Sequence, residues 1–201
     1  MPDLLETITL DLNLAADLVD PPQDRDHSVE HVSDLINKLA GIVGRRTYEG
    51  EPTEEAWRMM AMGRISEAVL RPIITHQAEK EGLTFIPQQV MVCDDVVGSL
   101  DGLLVSPAGR EAIVEIKSRY ASPGDPTNNA NDTHWRYMLQ TMSYAYMARV
   151  NKAWLVGLYF PRGAPGVELK LHRIEFSVPE LIENWQLLRN LRRNNGNARG
   201  P

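Results

Sequence analysis

Apolar residues recur along this chain with two periods, one typical of helices and one typical of strands. Four stretches carry them every three or four residues and are predicted to be helices: Ser28–Val43, Glu54–Glu81, Thr133–Val150 and Pro179–Arg193. Five shorter stretches are apolar or rich in β-branched residues and are predicted to be strands: Gln88–Cys93, Val96–Val105, Glu111–Ser118, Ala153–Phe160 and Val167–Ile174. Pro72 is expected to kink or divide the second helix. The order of elements predicts an α/β fold in which helices flank a central mixed sheet.

Turns and polar segments set the limits of the predicted domain. Asp94-Asp95 and Pro107–Gly109 predict the turns that join the first three strands. We expect a single domain over residues 28–193, an N-terminal arm over residues 1–27 and a flexible tail over residues 194–201. The full chain of 201 residues is long enough to build one such domain around its own core.

Composition narrows the class of protein. Hydrophobic residues make up 43% of the chain and charged residues 24%, as in an ordinary soluble globular protein. The single cysteine, Cys93, excludes a disulfide framework, a cysteine-based zinc site and a cysteine-ligated iron–sulfur cluster. No apolar run reaches the roughly 18–20 residues of a membrane helix, and the first residues lack the layout of a signal peptide. We therefore expect a cytoplasmic protein without a membrane partner.

Charge alone is a poor guide to the partner. The net charge of −6 argues weakly against nucleic acid, but a DNA path requires only a local basic stripe. Such local clusters are present at Arg45-Arg46, Lys117–Arg119 and Arg189–Arg193.

An unusual set of charged residues lies in two of the predicted strands. Asp101 follows an apolar run, and Glu115 and Lys117 stand among apolar neighbours in the next strand. Alternate residues of a strand share a face, so Glu115 and Lys117 point the same way. Charged groups in apolar surroundings are costly unless they are paired or bound to a metal. A divalent cation is the simplest reason for their presence.

A hard cation such as Mg²⁺ takes several oxygen ligands, and the preceding helix offers Glu67 beside its apolar stripe. Mg²⁺ or Mn²⁺ held by Glu67, Asp101, Glu115 and the Ile116 carbonyl would polarise a phosphodiester and lower the pKa of a bound water. Lys117 would orient the attacking water or help to deprotonate it. This set of residues predicts a hydrolytic phosphodiester site.

Each residue also has an ordinary structural explanation. An Asp between glycines is usually a turn residue, and a Glu-x-Lys pair on a strand usually faces solvent. The combination favours a site, because both segments are apolar, their spacing suits a hairpin and a helical Glu lies upstream.

Asp101 followed by Glu115-Ile116-Lys117 resembles the signature of the PD-(D/E)xK nuclease superfamily, with Leu100 in the place of the namesake proline. Gln140 and Tyr144 are four residues apart and so share a helical face. They resemble the Gln-x-x-x-Tyr motif that marks the RecB-like and lambda-exonuclease-like (YqaJ) branch.

Two further segments extend this resemblance, which covers about residues 63–162. Gly63–Glu67 resembles the Gly-x-x-x-Glu helix of lambda exonuclease, and residues 137–162 resemble its passage from helix to strand. RecB-like members often carry a His in the upstream helix, where this chain has Glu67. No phosphate-binding loop for ATP is present in the sequence, so we expect no fused helicase.

The resemblance implies a restriction-endonuclease-like core and a metal-dependent deoxyribonuclease, an exonuclease that acts on the ends of double-stranded DNA in recombination or repair. It implies Mg²⁺ as cofactor, with Mn²⁺ as a substitute. It assigns metal ligation to Glu67, Asp101, Glu115 and the Ile116 carbonyl, catalysis to Lys117, and a supporting or DNA-contacting role to Gln140 and Tyr144. It also implies a trimer, a single-strand annealing protein as partner, and the cytoplasm of a bacterial or phage-infected cell.

Five residues are candidates for contacts with DNA: Arg45, Arg46, Arg119, Trp135 and Arg136. Lambda-like enzymes hold a 5′-phosphate with an N-terminal Arg, a role that Arg45 or Arg46 fits by position in the chain. Arg119 and Arg136 are candidates for phosphate contacts, and Trp135 for stacking on a base. A solvated Arg and a packed Trp are the ordinary alternatives.

Two other functions stay open at this point. The same fold serves structure-specific and restriction-like endonucleases, and a catalytically silent domain would bind DNA or protein without cutting. The complete set of three carboxylates and a lysine disfavours the silent domain. RNA as substrate is also compatible with these residues.

Overall fold

A computed structural model of the chain describes residues 29–44, 53–121, 132–161 and 168–196, so the predicted arm over residues 1–27 lies outside the described part. Its strands are β1 (Glu30–His31), β2 (Thr84–Cys93), β3 (Val96–Ser106), β4 (Gly109–Ala121), β5 (Lys152–Pro161) and β6 (Glu168–Glu175). Its helices are α1 (Val32–Ile42), α2 (Glu54–Lys80), α3 (Asp132–Ala148) and α4 (Val178–Gly196). All of the predicted helices and strands are present, with ends shifted by a few residues.

The helix α2 begins at a conventional cap and runs through its proline. The Thr53 hydroxyl accepts a hydrogen bond from the Ala56 N–H at 3.2 Å, which satisfies one of the free donors of the first turn. Of the two expectations for Pro72, a kink or a division of this helix, division is wrong, because α2 is one helix from Glu54 to Lys80, and the kink stays a prediction. Proline removes one hydrogen bond of the helix, but Leu70 and Ile74 on either side are buried against the sheet and hold the adjoining turns.

Two further predictions need correction. Glu30 and His31, predicted to open the first helix, are instead extended because they pair with Val96 and Val97 of β3. The predicted end of the last helix at Arg193 is too early, because α4 continues to Gly196. The last turns of α4 are held by Arg192, whose Nη1 lies 3.3 Å from Asp95 Oδ2 in the β2–β3 turn.

The sheet is mixed, as predicted, and β3 organises it. β2 pairs with β3 in antiparallel register along one edge. The pairing extends from Cys93 opposite Val96 to Thr84 opposite Val105. The other edge is shared, because β1 pairs with Val96 and Val97 while β4 pairs with Gly102 to Ser106. β5 runs parallel to β4, and β6 runs antiparallel to β5. No described strand therefore pairs with residues 98–101 on the edge between β1 and β4.

Helices cover both faces of the sheet. α1, α3 and α4 pack on one face around Leu35, Leu103, Ile113 and Trp185. α2 packs on the other face, where its buried residues meet Phe85, Leu104, Val114, Ile116, Trp154 and Val156. The chain is thus a three-layer α/β structure with the predicted central sheet. Within the described residues, no helix is long and apolar enough to span a membrane.

β3 changes face near Asp101. Gly98 and Leu100 face α3 and its core, whereas Gly102 and Leu104 face the core beneath α2. Strict alternation would keep all four residues on one face. Gln88, which stands opposite Asp101 between two paired stretches of β2, has a φ of 46° and marks the same irregularity.

Gly102 should be sensitive to substitution. An added Cβ would lie 2.1 Å from Phe85 Cε2 and 3.2 Å from the Ile86 carbonyl oxygen. We expect Gly102→Ala to lower the free energy of unfolding by about 1–3 kcal/mol through overpacking. Urea denaturation provides the measurement.

Gly63→Ala in α2 is the matched control, because its added Cβ would meet nothing within 4 Å. It should raise the free energy of unfolding by roughly 0.5–1 kcal/mol, as alanine does in place of glycine inside a helix. Equal stability of the two variants would contradict the close contact at Gly102.

Candidate active site

The candidate site lies where β3 and β4 separate. Their pairing ends at Gly102 and Val114, and the next two residues, Asp101 and Glu115, stand beside each other at the opening. The Ile116 N–H donates to Asp101 Oδ2 at 2.6 Å. A side-chain carboxylate thus accepts a bond from the strand edge at the point where the backbone pairing stops. Burial raises the pKa of Asp101, while the Lys117 ammonium and this N–H oppose the rise.

Glu115 is a buried carboxylate with few partners. Its side chain is 1% exposed. Neither carboxylate oxygen accepts a hydrogen bond of good geometry from a described residue, although the Lys117 ammonium forms an ion pair with Oε1. Burial, followed by the Asp101 charge, raises the pKa of Glu115 to about 8. Unsatisfied buried oxygens of this kind are costly, and a cation would satisfy them.

Lys117 supplies the positive charge of the site. Its Nζ pairs with Glu115 and lies 5.1 Å from the centre of the Tyr137 ring on α3. Burial by itself lowers the pKa of Lys117, but the Glu115 and Asp101 carboxylates outweigh it and raise this pKa above its ordinary value. About a fifth of the side chain is exposed, so the ammonium reaches the edge of the site.

α3 brings the Gln-x-x-x-Tyr pair to the same place. Gln140 Nε2 donates to Tyr144 Oη at 2.9 Å. Tyr144 is buried, and burial together with the Glu115 charge raises the pKa of its phenol. Gly98 permits this approach, because a Cβ there would lie 3.1 Å from Tyr144 Cε1 and 2.7 Å from Met147 Sδ. Gln140 and Tyr144 therefore form one side of the site.

Glu67 approaches from α2, on the other face of the sheet. Its Oε2 lies 3.9 Å from Arg71 Nη2, one turn further along the helix. The Glu67 charge contributes to the raised pKa of Glu115, and the Arg71 charge opposes the rise in the pKa of Asp101. Both side chains therefore act electrostatically on the site. Among the described residues, no three His, Cys, Asp or Glu side chains lie close enough together to hold a metal ion. The predicted ligand set is thus divided between a close pair and a more distant Glu67.

The residues present fit a divalent cation. Asp101 and Glu115 offer carboxylate oxygens, the ligands that Mg²⁺ and Mn²⁺ prefer, and both oxygens of Glu115 are buried without well-formed hydrogen bonds. The Ile116 carbonyl belongs to the same stretch of β4, so it remains a predicted ligand. Glu67, which pairs with Arg71, also remains a predicted ligand.

The candidate DNA contacts are only partly described. Trp135 is half-buried and packs against the core beneath α3 and α4, as its ordinary alternative predicted. Arg136 Nη1 donates to Asn37 Oδ1 of α1 at 3.4 Å. Arg45 and Arg46 lie outside the described residues, as does the side chain of Arg119 on β4. The roles of these five residues in DNA binding stay predictions.

Two residues of the site were not predicted from the sequence. Arg71 reaches Glu67 and the neighbourhood of Asp101 from α2, and Tyr137 places its ring beside Lys117. Helical spacing contained part of the signal, because Arg71 follows Glu67 by four residues and Tyr137 precedes Gln140 by three. Only the packing of both helices on the sheet shows that these residues meet the site.

Comparisons with known proteins concern the fold. No protein-family model matches the sequence, and no curated protein does. The crystal structure of SSO0001 aligns with 90% of this chain and 83% of its own, with a TM-score of 0.50 and 12% identity.

Two exonuclease structures align less closely. The alkaline exonuclease LHK-Exo from Laribacter hongkongensis aligns with 91% of this chain and 85% of its own, with a TM-score of 0.42 and 15% identity. A phage-related exonuclease from Haemophilus somnus 129PT aligns with 93% and 92%, with a TM-score of 0.44 and 11% identity. Similarity at this level does not assign an activity to this chain.

The predicted architecture, an α/β fold with a central mixed sheet flanked by helices, is confirmed. Three strands follow α2, then α3 leads to a strand parallel to β4, and the signature residues lie on β3 and β4.

Removal of the Lys117 charge should destabilise the folded protein, because the buried Glu115 carboxylate would lose its ion-pair partner. We expect Lys117→Met to lower the free energy of unfolding by roughly 3 kcal/mol, because Glu115 loses its ion-pair partner. Adding Glu115→Gln to this variant should recover most of the loss, since the amide carries no charge. The measurement is urea denaturation of wild type, both single variants and the double variant in EDTA.

The double-mutant comparison also provides the control. Additive losses in the double variant would contradict a coupled Glu115–Lys117 pair.

Proposed function

We propose that this protein is a metal-dependent deoxyribonuclease that hydrolyses phosphodiester bonds in DNA, acting as an exonuclease on ends of double-stranded DNA. One observation carries the proposal. Two carboxylates, Asp101 and Glu115, are held together with Lys117 at the point where β3 and β4 separate. A buried and a half-buried carboxylate beside a lysine at a strand opening form a site whose chemistry suits a cation and a phosphate.

The chemistry follows from what each group can do. Asp101, Glu115 and Glu67, with the Ile116 carbonyl, would hold a divalent cation, which would supply polarisation of the phosphodiester and a lower pKa of a bound water. Asp101 is fixed in orientation by the Ile116 N–H. Lys117 would hydrogen-bond to the attacking water or to a phosphate oxygen, and its charge would offset the negative charge that develops during attack.

α3 supports this arrangement from one side. The hydrogen bond from Gln140 fixes the orientation of the Tyr144 phenol, which forms a wall beside Glu115 and Lys117. This arrangement supports a role for both side chains in orienting the lysine or contacting the DNA strand. We assign them a supporting role.

The choice of DNA ends as substrate rests on the resemblance to lambda-like exonucleases rather than on geometry. The same resemblance supports a role in recombination or repair in a bacterial or phage-infected cell, a trimeric assembly and an annealing protein as partner. An endonuclease on the same fold would use the same residues, so the substrate test must include DNA without ends.

The proposed activity predicts a defined pattern of cleavage. Purified protein should degrade an end-labelled linear duplex in Mg²⁺ but leave a closed circle of the same sequence intact, and EDTA should abolish cleavage. Lys117→Ala and Glu115→Gln should each lower the rate by a factor on the order of 100 or more, because each removes charge stabilisation in the transition state. Gel analysis of the labelled products also gives polarity.

Ile73→Ala provides a matched control, because this residue is exposed on α2 away from the site. It should cleave at the wild-type rate. Cleavage of the circle would replace the exonuclease by an endonuclease. Full activity of Lys117→Ala or Glu115→Gln would overturn the assignment of this site.

Metal binding should be visible without any substrate. A cation that binds only the folded protein raises its stability by RT ln(1 + [M]/Kd). At about ten times Kd this gives roughly 1.4 kcal/mol, or a rise in Tm of about 3 °C for a domain of this size. We expect this rise for wild type with Mg²⁺ or Mn²⁺ and little or none for Asp101→Asn.

Differential scanning fluorimetry in matched concentrations of NaCl separates binding from ionic strength. The same rise in Asp101→Asn as in wild type would show that the cation binds elsewhere. A rise in wild type alone, without nuclease activity, would favour a domain that binds metal but does not cut.

A further inference from the structure

A cavity of about 810 Å³ lies away from the candidate active site, between the end of β2, the end of α3 and the start of α4. Part of its wall is apolar and accessible. Val92, Val178 and Ile182 line it and are 68%, 59% and 39% exposed. Clustered apolar residues on a surface mark a place where another group binds.

The rim of this cavity is basic. Arg149 and Lys152 are exposed and form no ion pair with any residue that the structure describes. Arg110 also lines the cavity, and its Nη1 donates to the Ala148 carbonyl at 3.3 Å. The one acidic residue of the lining, Glu111, accepts a hydrogen bond from the Ser106 hydroxyl at 2.6 Å. The cavity therefore suits an occupant that is both acidic and apolar.

The N-terminal segment of the chain has this composition. Residues 1–20 contain five acidic residues and no lysine, arginine or histidine. Within it, four apolar residues alternate with polar ones: Ile8, Leu10, Leu12 and Leu14. In an extended chain such residues share one face, which leaves the acidic and polar side chains on the other.

The part of the chain that the structure describes begins at Val29, close to the cavity. β1 pairs with Val96, which also pairs with Cys93, and Cys93 lines the cavity. Leu12 precedes Val29 by 17 residues. An extended chain covers roughly 3.3 Å per residue, so this length exceeds the diameter of about 40 Å expected for a domain of this size. The length of the chain therefore allows Leu12 to reach any part of the cavity.

We propose that residues 3–20 of the same chain dock in this cavity, with their leucines against the apolar wall and their acidic residues against Arg149 and Lys152. Two competing occupants differ in chemistry. A nucleic-acid strand would match the basic rim but not the exposed valines and isoleucine. The same segment from a second copy would match both and would link two molecules.

The single native cysteine provides the test. Cys93 is half-buried in the cavity wall, so Leu12→Cys creates a protein with two thiols, one of them in the segment. A short bis-maleimide should link Leu12→Cys to Cys93 within one molecule, detected as a mobility shift on denaturing gels and confirmed by mass spectrometry. Leu12→Cys with Cys93→Ser should give no such product.

A charge-reversed variant distinguishes docking from chance encounters of a tethered segment. Leu12→Cys with Arg149→Glu and Lys152→Glu retains both thiols and the same tether, and both reversed residues are exposed. We expect the yield of the intramolecular link to fall by about three- to tenfold, since each exposed ion pair contributes little by itself. Adding Asp11→Lys and Asp17→Lys should restore it.

The alternatives give different products. Equal yields with and without charge reversal, or no link at all, would overturn the proposal. Covalent dimers in place of the intramolecular link would assign the cavity to a second copy. A third outcome would assign the basic rim to nucleic acid. In that case a short single-stranded oligonucleotide would abolish the link, and without the oligonucleotide charge reversal would leave the yield unchanged.

Discussion

Two carboxylates, the buried Glu115 and the half-buried Asp101, lie side by side, and the surrounding groups offset the cost of burying their charge. Asp101 accepts the Ile116 N–H that β3 would otherwise pair with, and Lys117 neutralises Glu115 from two residues further along β4. Burial nevertheless holds the pKa of Glu115 near 8. A site that keeps a carboxylate under this penalty gains free energy from any cation that replaces or joins the lysine.

The packing around the site follows from this constraint. α3 approaches β3 closely over Gly98, where no side chain intervenes, and so closes the site with Tyr144 and Tyr137. α2 lies on the opposite face and adds the charges of Glu67 and Arg71 to the site. The charged side chains of α2 and the polar side chains of α3 therefore act on the same pair of carboxylates.

The fold was largely predictable because its strands and helices follow simple periods. The apolar runs around Asp101 and Glu115 predicted two neighbouring strands, and the charged residues within them predicted the site. Predictions from local sequence patterns were wrong or incomplete where tertiary contacts determine the conformation. Glu30 and His31 are extended because β3 accepts them, Pro72 is retained in a helix held by its neighbours, and Arg71 and Tyr137 reach the site through packing that no local pattern contains.

The number of residues in the β3–β4 hairpin determines which side chains lie beside each other at the candidate site. Asp101 and Glu115 meet because the turn at residues 107–108 and the irregularity between Leu104 and Val105 fix the register of the two strands. Because side chains alternate between the faces of a sheet, a slip of one residue would turn one carboxylate away from the other. The surface turn touches neither carboxylate, but its length is constrained because it aligns the two strands that carry them. Insertions in this turn would be tolerated only if the register of β3 and β4 were preserved.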